Sequence, residues 1–502
     1  MIINFLIIIQ VAMGRTLKLI QHYGIIDFGY KVYENITSCT RKYEKVYEKY
    51  LPTENELSLQ RNKKWNNEPL VSIVVPTYET KPDFLRQMIL SVMDQTYKNW
   101  ELCIADGSKT QKVKSVILSM HGNEDRIKYK KLEKNGGIAQ NTNAALDMST
   151  GEYICFLDHD DILTPNALYE MVIAAQNNAS ADLFYSDEDK VSDDLKKYSN
   201  PHFKPDYNKE LLCSYNYLCH FIMIKKELMQ KAGKIDAKYD GAQDYEYMLR
   251  CTELAKRVCH IPKILYHWRI SETSTAGNSG NKEYAFLNGA KAISDHLFRC
   301  GYSAVEVIPR VDPGSYHVEY LTDMEEEGVF FQDVLLKPKD VNWKKRLSSR
   351  FVDPEIGMVA GKIIYHGRIV ECGMSYDQQG KLYHLFRGKS IRYRGYQKRA
   401  VLAQDVSIAS LEFAVVRKSA LRQIGKINKK LSKEEQAIDL CIRLRKAGYR
   451  IVLDPEVIAV KSGKEKEYMN RNQNLKNDWG EYICKGDPYW NFKEERGELY
   501  EL

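Results

Sequence analysis

At 502 residues the chain exceeds one ordinary domain, and two or three are expected. With 44% hydrophobic and 28% charged residues the composition is globular, and a net charge of +7 without a basic stripe argues against nucleic-acid binding. The 11 Cys are scattered with no CxxC pair, which argues against a disulfide framework or a zinc site and favours reduced thiols in the cytoplasm.

Met1 to Met13 is apolar apart from Asn4 and Gln10. It is shorter than the roughly 20 residues a bilayer span needs. It also lacks a basic residue before the apolar run and a small-residue cleavage site, so it is a poor signal peptide. An interfacial helix is expected there. Residues 15–50 continue with apolar positions at helical spacing among Lys, Arg and Tyr, as in a helix lying on the main domain or on a membrane surface. Leu51 to Glu68 is polar and carries Pro52, which reads as a linker.

From Val71 the pattern alternates. Strands are expected at Val71 to Pro76, Trp100 to Ala105, Ile127 to Leu132 and Tyr153 to Leu157. Helices are expected at Lys81 to Gln95, Gln111 to Met120 and Ile138 to Asp147. Strand alternating with helix means a parallel sheet with right-handed crossovers. Polar residues then collect at successive strand ends: Thr77-Tyr78-Glu79, Asp106, and Asp158-His159-Asp160-Asp161. That sheet edge is where open α/β proteins bind ligands. Carboxylates so close repel unless a cation sits among them, and an oxygen-rich site with one His suits Mn²⁺ or Mg²⁺. An acidic turn is the plain alternative.

Further on, Asp187-Glu188-Asp189 is a second acid cluster, equally readable as a solvated turn. Cys219 to Ile224 reads as a strand. Asp244 falls near a helix N-terminus, where it could be a base or an N-cap. Ile264 to Arg269 reads as a late strand carrying His267.

The motifs VSIVVPTYET, ELCIADGS, NGGIAQNTNAAL, YICFLDHDDIL, DLFYSDEDK, HFKPDYN, GAQDYEYMLR and HIPKILYHWR, in this order from Pro69 to Ala276, resemble family 2 glycosyltransferases of the GT-A fold. The resemblance implies roles. Pro76, Thr77, Tyr78, Glu79 and Asp106 would form the nucleoside subsite, with Glu79 standing where the family usually has Asn. Asp158 would reach the ribose, Asp160 and His267 would contact the metal or diphosphate, and Asp244 would be the general base. The implied activity is inverting transfer from a nucleotide-sugar donor to a glycan or lipid-linked acceptor, serving a bacterial surface polysaccharide. The implied location is cytoplasmic, peripheral at the inner membrane face through the N-terminal prefix. The rivals are an inactive sugar-nucleotide or glycan-binding protein and a sugar-1-phosphate nucleotidyltransferase. The latter would want a Gly-rich basic loop after the first strand, which Thr77-Tyr78-Glu79 does not offer.

An internal repeat follows. His220 to Asp240 aligns without gaps to Glu412 to Ser432, and Gln243 to His267 to Gln436 to Val460, so Asp244 falls on Ala437. Pro165 on Pro338 puts Asp160 on Asp333 and Asp158 on Phe331. The distance from Val71 to Asp160, counted back from Asp333, reaches Asp244, so the second copy has no room for a nucleotide-binding half. The expected fold is α/β: a GT-A domain, Rossmann-like and mostly parallel with flanking helices, plus a partial, degenerate GT-A-like module. The expected division is 1–68 prefix and linker, 69–300 catalytic domain, 301–328 linker, 329–465 second module and 466–502 tail.

Overall fold

The structure is a computed structural model that describes residues 43–121, 124–270, 283–462 and 476–490. The helix expected from Met1 and most of the amphipathic prefix lie outside the described residues.

Strand β1 (Val71–Thr77) is central because its residues are apolar on both faces. Val71, Ile73 and Val75 pack on one side with Leu85, Met88 and Ile89, while Val74 packs on the other with Ala139 and Met248. Each large side chain so buried contributes roughly 1.5–3 kcal/mol. A strand covered on both faces is what a parallel sheet requires. The stretch read as a linker holds helix α1 (Glu54–Arg61), started by a Thr53–Glu56 capping box. The T-x-x-E signature was present, and the polar composition around Pro52 obscured it.

Then follow α2 (Pro82–Met93), β2 (Trp100–Asp106), α3 (Lys112–His121), β3 (Ile127–Lys131), α4 (Ile138–Leu146), β4 (Tyr153–Phe156), β5 (Ile162–Leu163) and α5 (Ala167–Asn177). The remaining elements of this unit are β6 (Leu183–Ser192), β7 (Tyr198–His202), α6 (Lys209–Ser214), β8 (Ile222–Lys225), α7 (Lys226–Ala232), α8 (Gln243–Leu254) and β9 (Val258–Ile270). The sheet runs β3-β2-β1-β4-β8-β6-β9-β5, with β7 beside β6. β3, β2, β1 and β4 are mutually parallel. β8 enters antiparallel to β4 and to β6, while β6 and β9 are parallel.

Within residues 301–328, β10 (Val305–Pro309) and β11 (Tyr316–Tyr320) form an antiparallel hairpin. A second sheet follows, with β12 (Gly328–Gln332), β13 (Leu336–Pro338), β14 (Ile356–Tyr365), β15 (Phe413–Arg417) and β16 (Arg450–Lys461) in the order β12-β15-β14-β16-β13. Its successive pairs are antiparallel, antiparallel, parallel and antiparallel. The path β4-β8-β6-β9-β5 has the same sequence of senses. Both parallel pairs also shift register part-way, after Ser186 in β6 and after Gly361 in β14.

The two units share buried polar contacts. Arg350, 2% exposed, donates to Glu210 at 2.6 Å and to Asp454 at 2.9 Å. Asn208 exchanges two hydrogen bonds with the backbone of Asp405, each at 2.9 Å. Tyr396 donates to the Pro201 carbonyl at 2.7 Å and accepts from the Phe203 amide at 2.8 Å. Removing one member of a buried ion network leaves uncompensated charge. Arg350→Ala is therefore expected to destabilise the protein by roughly 3–5 kcal/mol, read as a lowered urea midpoint. A midpoint within error of wild type would show that Glu210 and Asp454 find other partners.

Candidate active site

The carboxyl ends of β1 and β4 and the first turn of α8 surround a cleft of about 110 Å³. Pro76, Asp158 and Asp244 line it, so three residues singled out in the sequence do converge. Ile138, at the start of α4, closes one side, and the chain turns into that helix at Gly137, whose φ of 86° is the left-handed region that glycine tolerates.

The nucleoside-side residues are held by one another. Thr77 is buried, and its hydroxyl donates to the Ala105 carbonyl at 3.3 Å. Tyr78 is 42% exposed. Glu79 sits at φ 50°, a region Asn adopts more readily than Glu. Its carboxylate accepts from the amides of Lys109 and Thr110 at 2.7 and 3.0 Å, so it ties the loop after β1 to the loop after β2. Asp106 is fully buried and accepts from the Ser108 amide, the Tyr129 hydroxyl and the Lys131 ammonium at 2.8, 2.8 and 3.0 Å. Burial opposes its charge, yet these bonds win and hold it below the usual carboxylate range.

The acid cluster divides. Asp158 and Asp160 face solvent, with side chains 44% and 27% exposed. Asp161 turns inward at 1% exposure, accepting from the Arg269 amide at 2.7 Å and from the Tyr266 hydroxyl. Burial, then the Asp158 and Asp160 charges, push the Asp161 carboxyl well up. The crowding inferred from three adjacent acids is thus relieved in part by burying one of them.

His267 is 4% exposed, and its Nδ1 meets Asp189 at 2.5 Å. Asp189 also accepts from the Tyr43 hydroxyl at 2.7 Å. With Nδ1 so engaged, Nε2 is the nitrogen presented to a ligand, the usual arrangement behind a metal-bound imidazole. Among the described residues no group of three His, Cys, Asp or Glu side chains could hold a metal ion. A cation here would rest on Asp160, on His267 and on ligand oxygens, a hard donor set that fits Mn²⁺ or Mg²⁺.

Asp244 is the second residue of α8, and the N-cap is Ala242, so Asp244 does not cap the helix. Its Oδ2 accepts from Asn216 Nδ2 at 3.2 Å. Asp187, Glu188 and Asp189 form no solvated turn. They lie in β6, buried beside β9 on one side, with Glu188 opposite His202 of β7 on the other.

Residues 72–233 match the family model described as Glycosyl transferase family 2. The match spans well under half of the chain. Over 253 residues, 50% of this chain, the sequence is 38% identical to the uncharacterized protein y4gI of Sinorhizobium fredii, covering 28% of that protein. Over 253 residues it is 33% identical to the O-antigen biosynthesis protein RfbC of Myxococcus xanthus, covering 50% of this chain and 20% of that protein. The chain thus spans less than a third of the length of these curated relatives. Among solved structures, S. aureus TarS 1-349 with UDP-GlcNAc is similar at a TM-score of 0.37 and 17% identity, covering 45% of this chain and 66% of that one.

The cleft also holds a residue that sequence reasoning missed, with a second behind it. His220 lines it, with Nε2 3.7 Å from Asp158 Oδ2 and Nδ1 3.3 Å from Glu188 Oε2. Lys204, 1% exposed, donates to the Leu218 carbonyl at 2.9 Å and to the His220 carbonyl. Lys204 stood within the HFKPDYN motif, but no pattern shows that its ammonium reaches residues 218–220. Burial works against the Glu188 charge, but Lys204, His202 and His220 outweigh it and hold that carboxyl well below its usual range.

Burial also opposes protonation of His220, yet Glu188, Asp158 and Asp161 outweigh it and push the imidazole up to about 9. A raised value stabilises the fold fully below the unfolded pKa of about 6.5, and that contribution is lost as pH rises through about 9. An NMR titration, with the signal assigned by its loss in His220→Gln, should give a midpoint near 9. A midpoint near the ordinary value of about 6.5 would contradict the ion pairing.

Proposed function

We propose that the protein is an inverting, metal-dependent glycosyltransferase that moves a sugar from a nucleotide-sugar donor onto a hydroxyl of a growing glycan or lipid-linked acceptor. The convergence of Asp158 and Asp244 on one cleft carries this reading. The family match over residues 72–233 supports the donor class, and the similarity to an O-antigen biosynthesis protein supports a surface polysaccharide as product.

In this mechanism the loops after β1 and β2 hold the nucleoside and Asp158 receives the ribose. Asp160 and His267 would hold Mn²⁺ or Mg²⁺, which supplies charge neutralisation at the diphosphate when bound. Asp244 takes the acceptor's hydroxyl proton, and Asn216 fixes the carboxylate that does so. The acceptor oxygen forms its bond to the anomeric carbon as the bond to the diphosphate oxygen breaks, the electron pair leaving with the phosphate. Attack from the side opposite the leaving group inverts the centre, and placing both substrates in one cleft supplies much of the rate.

The second sheet we read as a degenerate copy of the β4-to-β9 half of the catalytic domain. Its matching strand order and pair senses support this. Asp333, aligned with Asp160, is paired with Lys433 at 2.6 Å, and Ala437 stands in the place of the base. Its role in this reading is to brace the catalytic domain. No helix among the described residues is long and apolar enough to cross a membrane. We place the enzyme in the cytoplasm at the inner membrane face, held through residues 1–50.

A panel of nucleotide sugars, with and without Mn²⁺, tests the function in the wild type, and no turnover or binding with any donor would refute it. Asp244→Asn should keep donor binding and lose transfer by roughly 10²- to 10⁴-fold. Near wild-type transfer in that variant would remove Asp244 as the base. Asp160→Ala should lose roughly a hundredfold or more, while Asp333→Ala should match wild type in the same assay. A comparable loss in Asp333→Ala would mean that the second module holds a working site.

A further inference from the structure

His220 is held more tightly than a wall residue of a cleft needs to be. Its ring stacks on Tyr266 at a centroid distance of 4.9 Å and meets the edge of Trp268 at 5.7 Å. Its amide donates to Glu188 Oε2 at 2.5 Å, and Nδ1 lies 3.3 Å from the same oxygen. Its carbonyl is gripped by Lys204. Every part of the residue except Nε2 is anchored. Nε2 lies 3.7 Å from Asp158 Oδ2, close enough for attraction between charges and too far for a hydrogen bond. A fixed donor therefore points at the ribose-binding acid with its own bond not yet made.

We propose that His220 is a donor-binding residue whose Nε2–H pairs with the diphosphate of the nucleotide sugar, beside Asp158, and stays with that diphosphate as it leaves. This rests on the glycosyltransferase reading above and adds to it a protein cation at the leaving group. Glu188 lies beneath the ring, 7% exposed, and favours the imidazolium. When the donor arrives, its phosphate oxygens carry more charge than the Asp158 carboxylate, and a preorganised donor binds them without rearrangement.

The alternative is that His220 only holds Asp158 in place for the ribose. The two are separated by comparing a nucleoside diphosphate with its nucleoside, using UDP with uridine, GDP with guanosine or TDP with thymidine, whichever pair the wild type binds at fixed Mn²⁺. His220→Gln should weaken the diphosphate by roughly ten- to a hundredfold and leave the nucleoside within about twofold. Equal losses for both ligands would assign His220 only to the placement of Asp158 and overturn the proposal, as would no loss for either. Wild-type protein that binds none of the pairs would instead refute the glycosyltransferase reading itself.

Should His220→Gln fail to fold, the wild type answers alone. Its preference for diphosphate over nucleoside should fall as pH rises through about 9, well above the second phosphate ionisation at about pH 6. The groups facing the imidazole are Asp158 and Asp161 from the loop after β4, Glu188 from β6, His202 from β7, Lys204, Tyr266 from β9 and Asp244 from α8. Cys219 and Tyr247 also line the cleft, and burial pushes both of them up, away from the range in which His220 loses its proton; Lys204 and Tyr266 do not line it. A preference unchanged from pH 7 to 10 would overturn the proposal.

Discussion

The cleft depends on one buried ammonium. Lys204 lies inside the protein, where an isolated charge is costly, and it persists there because Glu188 is 3.9 Å away and two carbonyls accept its protons. Glu188 keeps its own charge because Lys204, His202 and His220 surround it. His220 in turn faces Asp158. Each member of this chain is tolerable only because of its neighbours, so the ionic floor forms as a unit. Buried polar networks whose members are mutually paired favour one arrangement over an ensemble, and here, among the described residues, only His220 Nε2 is left without a close partner in the chain from Lys204 to Asp158.

The sheet was legible in the sequence because β1, β2 and β4 are short, largely apolar and buried runs separated by amphipathic helices, while β3 at the edge is basic and only Ile127 in it is buried. Asp158, Asp244 and Pro76 were legible because strand ends and helix starts fall where the chain must turn. The inward rotation of Asp161 was not, since it depends on Arg269 and Tyr266 of β9, more than a hundred residues later. Asp187-Glu188-Asp189 could be read either way because β6 carries acids at positions usually given to apolar residues. Their burial is compensated by His260, by His220 and His202, and by His267, all from elsewhere in the fold. His220 falls within the stretch from Cys219 read as a strand, but the strand begins only at Ile222, and the significance of Asn216 and His220 comes from Asp244, Asp158 and Glu188 elsewhere in the fold.

The second sheet has the strand order and pair senses of the β4-to-β9 path. A strand order is maintained by hydrophobic pattern and register, which tolerate many sequences. A catalytic carboxylate tolerates almost none. β12 to β16 follow the path of β4 to β9, and Ala437 aligns with Asp244.

Tyr396 and Asp405 of the second unit grip the peptide from Pro201 to Asn208, and Lys204 sits in the middle of that peptide. The grip makes the junction between the two units and the floor of the cleft a single mechanical element. Any fluctuation that parts the junction also slackens the span that props His220, so an intact cleft cannot outlive an intact junction. The floor of the cleft is thus anchored from Tyr396 and Asp405, residues far along the chain from any that line it.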